Sequence, residues 1–285
     1  MGRCRARAYC CCMVDPSARA LEAVAVSPAV EVGDLDGNLR RLAAALDGFG
    51  DDHARLVVLP ELATSGYVFR DRAEAQALAL TRDDQRLTGL GRRLGSRTIA
   101  VVGFAESDGD DLYNSAAVLS SDGILAVYRK SHLWAEEKRV FTPGTDAGML
   151  VDTAVGRLGV AICYDNEFPE VPRALALAGA DLLALPVNWP LVPRPDGERA
   201  PETIQAMASA RSSRLPTVIA DRRGSERGVE WTGGTAVIDG SGWVVAEERD
   251  GVAAASLKLS ADKALGPHND LFADRRPELY RPHES

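Results

Sequence analysis

Two rhythms of apolar residues alternate along this chain. Short, mostly apolar runs have the length and β-branched content of strands: "LEAVAV" from Leu21, "ARLVVL" from Ala54, "TIAVVGFAE" from Thr98 and "GRLGVAIC" from Gly156. Between them, Leu35, Leu39, Leu42 and Leu46 recur at helical spacing, with Gly48 near the end of that segment. The stretch from "AQALAL" to "LTGLGRRLGSR" reads as helix, as do "FPEVPRALALAGA" and "PETIQAMASARSSR". "NSAAVLSSDGILAVYRK" reads as two strands joined at Ser-Asp-Gly, and "DLLALPVN" and "PTVIADRRG" read as strands. "GGTAVIDGSGWVVAEE" reads as a hairpin turning at Gly-Ser-Gly. Alternation without a long linker or a fixed-period repeat predicts one α/β domain, with strands buried on both faces and helices outside.

Composition narrows the partners more than the fold. The chain has 285 residues, 46% hydrophobic and 26% charged, as in ordinary globular proteins. A net charge of −8 and a pI near 5.2 argue against nucleic acid or an anionic membrane as partner and favour small molecules. No apolar run approaches the ~18 residues of a membrane span. Four of the five cysteines, Cys4, Cys10, Cys11 and Cys12, crowd an N-terminal segment that lacks both a signal-peptide core and a zinc-type partner pair. Residues 1–20 are therefore expected to be a disordered extension, with Met13 as an alternative start and one domain over residues 21–285. A single later cysteine builds no disulfide framework, which fits a reducing, cytoplasmic setting.

That later cysteine is Cys163, where the apolar run "GVAI" stops and acidic and turn-forming residues begin. A buried structural thiol is one reading; a nucleophile delivered to the rim of a sheet is the other. Two further strands end in residues of catalytic type: "VVLPE" delivers Glu61 and "AVYRK" delivers Lys130. A thiol, a proton carrier and a cation together meet the needs of acyl transfer. A neighbouring cation lowers a thiol's pKa, a carboxylate accepts and returns its proton, and the cation stabilises a tetrahedral oxyanion.

The blocks "VVLPELATSGY", "YRKSHLWAEEKRVFTPG" and "GVAICYDNEFPE", in this order and spacing, resemble the signatures of the nitrilase, or carbon–nitrogen hydrolase, superfamily. The likeness runs from about Leu21 to "DRRPELY". It implies a four-layer α-β-β-α sandwich, a Glu61–Lys130–Cys163 triad, and the backbone N–H of Tyr164 beside Lys130 as oxyanion donor. It also implies a second glutamate after the lysine block, for which Glu137 is the better match and Glu136 the other candidate. Pairing of sandwiches into at least a dimer follows from the same likeness, helped by small residues such as Ala174, Ala178, Ala206, Ala208 and Ala210. A C-terminal tail bearing Leu271, Phe272, Leu279 and Tyr280 is then expected to reach across a neighbour. Departures from the family pattern are Ser27 where Gln often ends the first strand, Ser212, Ser213 and Arg214 after Arg211, and Asp221 where Asn is usual.

Asn188 and Trp189 in "LPVNWP", and Tyr67 in "TSGY", are candidates to line the pocket. His132 suggests a Cys–His pair, but its apolar "SHLW" setting favours a packed loop histidine. Asp165 is expected to be pinned locally, and Glu170 and Arg173 to form an i,i+3 ion pair. No phosphate-binding glycine loop and no metal-ligand cluster appears, so neither a cofactor nor a metal is expected. The reading is an amidase releasing ammonia from a small linear amide. Alternatives are a nitrilase, a carbamoyl-amide hydrolase or an acyltransferase with the same triad, and a catalytically idle scaffold. Tyr164-Asp165 followed by "FPE" resembles the amidase side, whereas true nitrilases often show Trp-Glu after the cysteine.

Overall fold

The structure is a computed structural model that describes residues 19–49 and 53–280. The expectations about Cys4, Cys10, Cys11, Cys12 and Met13 lie outside the described residues. The first half of the chain runs β1 (Arg19–Val26), α1 (Leu35–Leu46), β2 (Arg55–Val58), α2 (Arg72–Leu78), α3 (Gln85–Gly91), β3 (Thr98–Asp108), β4 (Asp111–Ser120) and β5 (Gly123–Arg129). The second runs α4 (Glu137–Val140), β6 (Met149–Thr153), β7 (Gly156–Val160), α5 (Glu170–Leu177), β8 (Leu182–Pro186), α6 (Pro201–Ser213) and β9 (Thr217–Ala220). A small ribbon, β10 (Ser225–Glu226) with β11 (Val229–Glu230), precedes β12 (Ala236–Ile238), β13 (Val244–Glu247) and β14 (Val252–Leu259).

Two six-stranded sheets result, ordered β14-β1-β2-β3-β4-β5 and β13-β12-β9-β8-β7-β6. Each has three parallel strands at its centre, β1-β2-β3 and β7-β8-β9, flanked by antiparallel neighbours. The period-2 pattern of the strands divides the core. Leu21, Ala23, Leu56, Val58, Ile99 and Val101 pack with Leu158, Val160, Ala184 and Val218 of the other sheet. Their strand neighbours Val24, Val57, Ala100 and Val102 pack instead with Leu42 and Leu46 of α1 and Leu87 and Leu90 of α3. Val171, Leu175, Ala206 and Ala210 of α5 and α6 cover the outer face of the second sheet. The α-β-β-α order expected from the sequence is what the chain adopts.

Several boundaries differ from the sequence reading. Strand β1 begins at Arg19, so residues 19 and 20 belong to the sheet rather than to an extension. The long helix expected across "AQALAL" to "GRRLGSR" is two helices, because Asp71 and Asp84 each cap a new start by accepting from Glu74 N and Arg86 N. Strands β6 and β14 had no clear apolar signature: β14 reads "VAAASLKL", mostly small or polar residues, yet pairs along the whole of β1.

Candidate active site

Three strands bring the candidate side chains to neighbouring loops. After β2, Pro60 ends the strand and Glu61 follows, with Leu62 in the left-handed region at φ 48°. Gly103 on β3 permits this bend, since a Cβ there would lie 2.4 Å from the Pro60 carbonyl oxygen and 2.6 Å from Glu61 Cα. Lys130 follows β5 directly, and its N–H donates to the Asn114 carbonyl at 2.8 Å. Strand β7 stops at Val160, three residues short of the cysteine. Cys163 instead opens a 3₁₀ turn, Cys163–Glu167, with φ 47°. Such a conformation costs a residue with a Cβ roughly 1–2 kcal/mol, so surrounding bonds have to hold it.

Asp165 supplies those bonds. Its Oδ2 accepts from Ile162 N at 2.9 Å and from Tyr128 OH at 2.9 Å; its Oδ1 accepts from His132 N at 3.1 Å and lies 2.8 Å from His132 Nδ1. Asp165 is pinned as expected, but only the Ile162 bond is local; Tyr128 and His132 reach it from β5 and the loop after it. His132 is a loop histidine tied to this carboxylate and stacked on Phe168 at 3.9 Å between ring centroids.

The centre of the site is a buried cluster of charge. Lys130 Nζ donates to Glu61 Oε1 at 2.7 Å and to Glu137 Oε1 at 2.8 Å, and all three side chains are at most 3% exposed. Glu137 also accepts from Tyr67 OH at 2.5 Å and, through Oε2, from Trp134 N at 3.1 Å. Glu136 points elsewhere: its side chain is 77% exposed and pairs with Arg139. Asn114, which sequence reasoning missed, donates from Nδ2 to Glu61 Oε1 at 2.7 Å. The available signal was an amide in a strand otherwise buried on both faces, where a polar group needs a partner. Asn188 Nδ2 donates to the Glu61 carbonyl at 3.0 Å, and the Asn188 carbonyl lies 3.9 Å from Cys163 Sγ.

Glu61 is saturated on one side only. Oε1 takes both Lys130 and Asn114, whereas the buried Oε2 has no hydrogen-bond partner among the described residues. Burial raises its pKa to about 7, the Glu137 carboxylate adding to the rise and Lys130 opposing it. Burial also opposes charge on Lys130, but the carboxylates of Glu137 and Glu61 outweigh it and hold the ammonium well above the usual lysine range. Burial and then Glu61 push the Cys163 thiol well up, with Lys130 opposing, which favours S–H over thiolate. Tyr67 is likewise raised by burial and by the two glutamates. Among the described residues, no group of three or more His, Cys, Asp and Glu could hold a metal ion, and no helix is long and apolar enough to cross a membrane.

Trp189 is buried, Tyr67 meets Trp231 edge to face at 5.6 Å, and the Tyr164 ring packs between Trp134 and Phe168. Two departures from the family pattern touch each other: Ser27 Oγ donates to the Asp221 carbonyl at 2.7 Å. The expected Glu170–Arg173 pair is replaced. Arg173 donates to the carbonyls of Ser212 and Leu271, at 2.9 and 2.5 Å, and covers the Phe272 ring, because α6 and the C-terminal segment pack over α5.

Residues 23–261 match the family model described as Carbon-nitrogen hydrolase. The chain is 40% identical over 261 residues to a protein of Pyrococcus abyssi named nitrilase, covering 88% of this chain and 95% of that protein. It is 34% identical over 248 residues to an (R)-stereoselective amidase of a Pseudomonas species, covering 86% and 87%. Its fold is similar to the crystal structure of an amidase from Nesterenkonia, with a TM-score of 0.73 at 25% identity and coverage of 91% and 94%. Geometry and likeness converge: the chain belongs to the carbon–nitrogen hydrolase family of the nitrilase superfamily and is an amidase-like C–N hydrolase.

Proposed function

We propose that this enzyme hydrolyses the C–N bond of a small linear amide and releases ammonia through a thioester on Cys163. The observation that carries the proposal is the open oxygen of Glu61: a fully buried carboxylate with one side anchored to Lys130 and Asn114 and the other without a partner. A pKa near 7 suits a group that must accept a proton and give it back.

Cys163 Sγ attacks the amide carbon while its proton passes to Glu61 Oε2. Charge developing on the carbonyl oxygen is met by Lys130, two of whose donors are taken by glutamates, and by the Tyr164 N–H. The tetrahedral intermediate collapses, the C–N bond breaks, and the Glu61 proton leaves on ammonia. Glu61 then takes a proton from water as it attacks the thioester, and returns it to sulfur as the acid departs. Glu137 keeps Lys130 charged and aligned, with Tyr67 fixing Glu137. No cofactor enters these steps. Because Cys163 rests as a thiol, deprotonation accompanies attack rather than preceding it. In the Nesterenkonia amidase, a Glu-to-Gln variant shows covalent addition of the acetamide moiety of fluoroacetamide at the active site cysteine, which supports a cysteine adduct here.

A second reading is nitrile hydrolysis, favoured by the 40% identity to the Pyrococcus protein named nitrilase. Ammonia release from matched series of aliphatic amides, ω-amides, carbamoyl compounds and nitriles separates the two. Turnover of amides well above the matching nitriles is the expected result, and the reverse order replaces the amidase reading.

We also infer that the active enzyme is cytoplasmic and at least dimeric. Leu177 of α5, Ile204 of α6, and Leu279 and Tyr280 of the tail are exposed apolar residues, and burying more than ~1,000 Å² across a two-fold axis would cover them. Light scattering at micromolar concentration tests this: a mass near 30.4 kDa for fully active enzyme contradicts it.

A further inference from the structure

Asp221, just past the end of β9, has a fully buried carboxyl group whose two oxygens, among the described residues, accept from backbone donors alone. Oδ1 accepts from Trp189 N at 3.0 Å and Arg222 N at 2.8 Å; Oδ2 accepts from Gly234 N at 2.7 Å. The backbone of Asp221 is itself fixed. Its N–H donates to Thr235 Oγ1 at 2.9 Å, and its carbonyl accepts from Ser27 Oγ at 2.7 Å. One side chain thereby fastens the loop after β8, the end of β9 and the loop before β12. Burial raises the pKa of this carboxyl to about 7, the three N–H groups opposing that rise.

Two of these segments reach the reacting groups. The loop after β8 carries Asn188, which holds the Glu61 carbonyl and sets its own carbonyl 3.9 Å from Cys163 Sγ. The loop before β12 carries Gly234, where a Cβ would stand 2.9 Å from the Trp189 ring, and Trp231, which packs on Tyr67. An amide at position 221 would turn an NH₂ group toward one of the three N–H donors, so only a carboxylate satisfies all of them. A buried N–H left facing a donor loses its partner without regaining water and would shift whichever loop bears it.

We propose that Asp221 is a positioning residue that sets acyl-group selectivity, by clamping the Asn188–Trp189 segment to the Trp231–Gly234 loop beside Cys163. The substrate class in this statement rests on the amide-hydrolase reading above; the clamp does not. Asp221→Asn and Gly234→Ala perturb the same wall, the second keeping the carboxylate while its Cβ crowds the Trp189 ring at 2.9 Å and Asp221 Oδ2 at 3.3 Å. Both are to be assayed on acetamide, butyramide and hexanamide, and for Cys163 alkylation by iodoacetamide and by bulkier N-phenyl iodoacetamide, read by peptide mass. A fixed wall discriminates about tenfold or more per methylene. The expected result in both variants is a KM for the preferred amide raised about tenfold, kcat changed less than about threefold, and flattened chain-length preference. The small-to-large alkylation ratio should shift with them. Unchanged chain-length preference and an unchanged alkylation ratio overturn the clamp. If Asp221→Asn does not fold, Gly234→Ala decides the question alone. A wild-type enzyme inactive on every amide sinks the substrate reading only, because the alkylation ratio still reports the wall.

Discussion

Glu61 and Asp165 are both fully buried acids close to Cys163, and they are finished differently. Asp165 has every oxygen engaged, by Ile162 N, Tyr128 OH and two atoms of His132. Glu61 has one oxygen engaged twice and the other left open. An acid with all its acceptors filled has no place for an incoming proton and acts as scaffold. One with a buried, unpartnered oxygen bears a desolvation cost that a reacting proton would relieve. The contrast supports the proposal that Asp165 holds Cys163 in its left-handed turn while Glu61 moves the proton.

The largest effects should come from the reacting groups. Cys163→Ala should abolish turnover with melting unchanged, and Glu61→Gln, which keeps the Asn114 and Lys130 side of the contact, should cost ~10²–10⁴ in kcat. Wild-type rates for either variant would break the comparison at its root. Next is Lys130→Ala, which removes an oxyanion donor and leaves Glu61 and Glu137 buried without their cation. The rate should fall by at least ~10²–10³ and stability by ~3–5 kcal/mol, read by turnover and denaturant titration. A pure rate loss at full stability would mean the cluster is not the buried ion triad described here.

Smaller and different in kind is Asp165→Asn. It should destabilise by about 1–3 kcal/mol, because an NH₂ group would face Ile162 N or His132 N. The pH profile of the remaining activity should keep its shape; a displaced acidic limb would give Asp165 a chemical role. His132→Asn should cost least, less than about tenfold, since its ring touches Asp165 and Phe168 rather than the charge cluster. A loss matching Lys130→Ala at normal stability would revive the Cys–His alternative.

The sequence made the proposed triad of Glu61, Lys130 and Cys163 visible because each follows an apolar strand, and strand ends are where an α/β sheet holds ligands. It did not reveal the left-handed turns at Leu62 and Cys163, since neither is glycine and the fixing bonds come from distant segments. The choice between Glu137 and Glu136 turned on which side of a short helix faces Lys130, a matter of packing. Asn114 was hidden as an unremarkable polar residue in a strand. Asp221 stood out only as a departure from a family pattern, and its role as a three-way clamp depends on loops that lie far apart along the chain. The Glu170–Arg173 pair failed because helical spacing takes no account of tertiary acceptors, and Arg173 found two carbonyls instead.

Burial makes Glu61 hold a proton between its ordinary value near 4.3 and about 7, a window in which the unfolded chain releases it. The contribution of Glu61 to stability is therefore present at low pH and declines as pH rises through that window. Its function as a base runs the other way and needs the proton gone. The rate of Cys163 alkylation by iodoacetamide, followed by peptide mass from pH 5 to 9 in wild type and Glu61→Gln, measures that function without assuming a substrate. The wild-type rate should rise with an apparent pKa near 7, and Glu61→Gln should lose that limb and react more slowly across it. Superimposable profiles for the two proteins would contradict the claim that Glu61 takes the Cys163 proton.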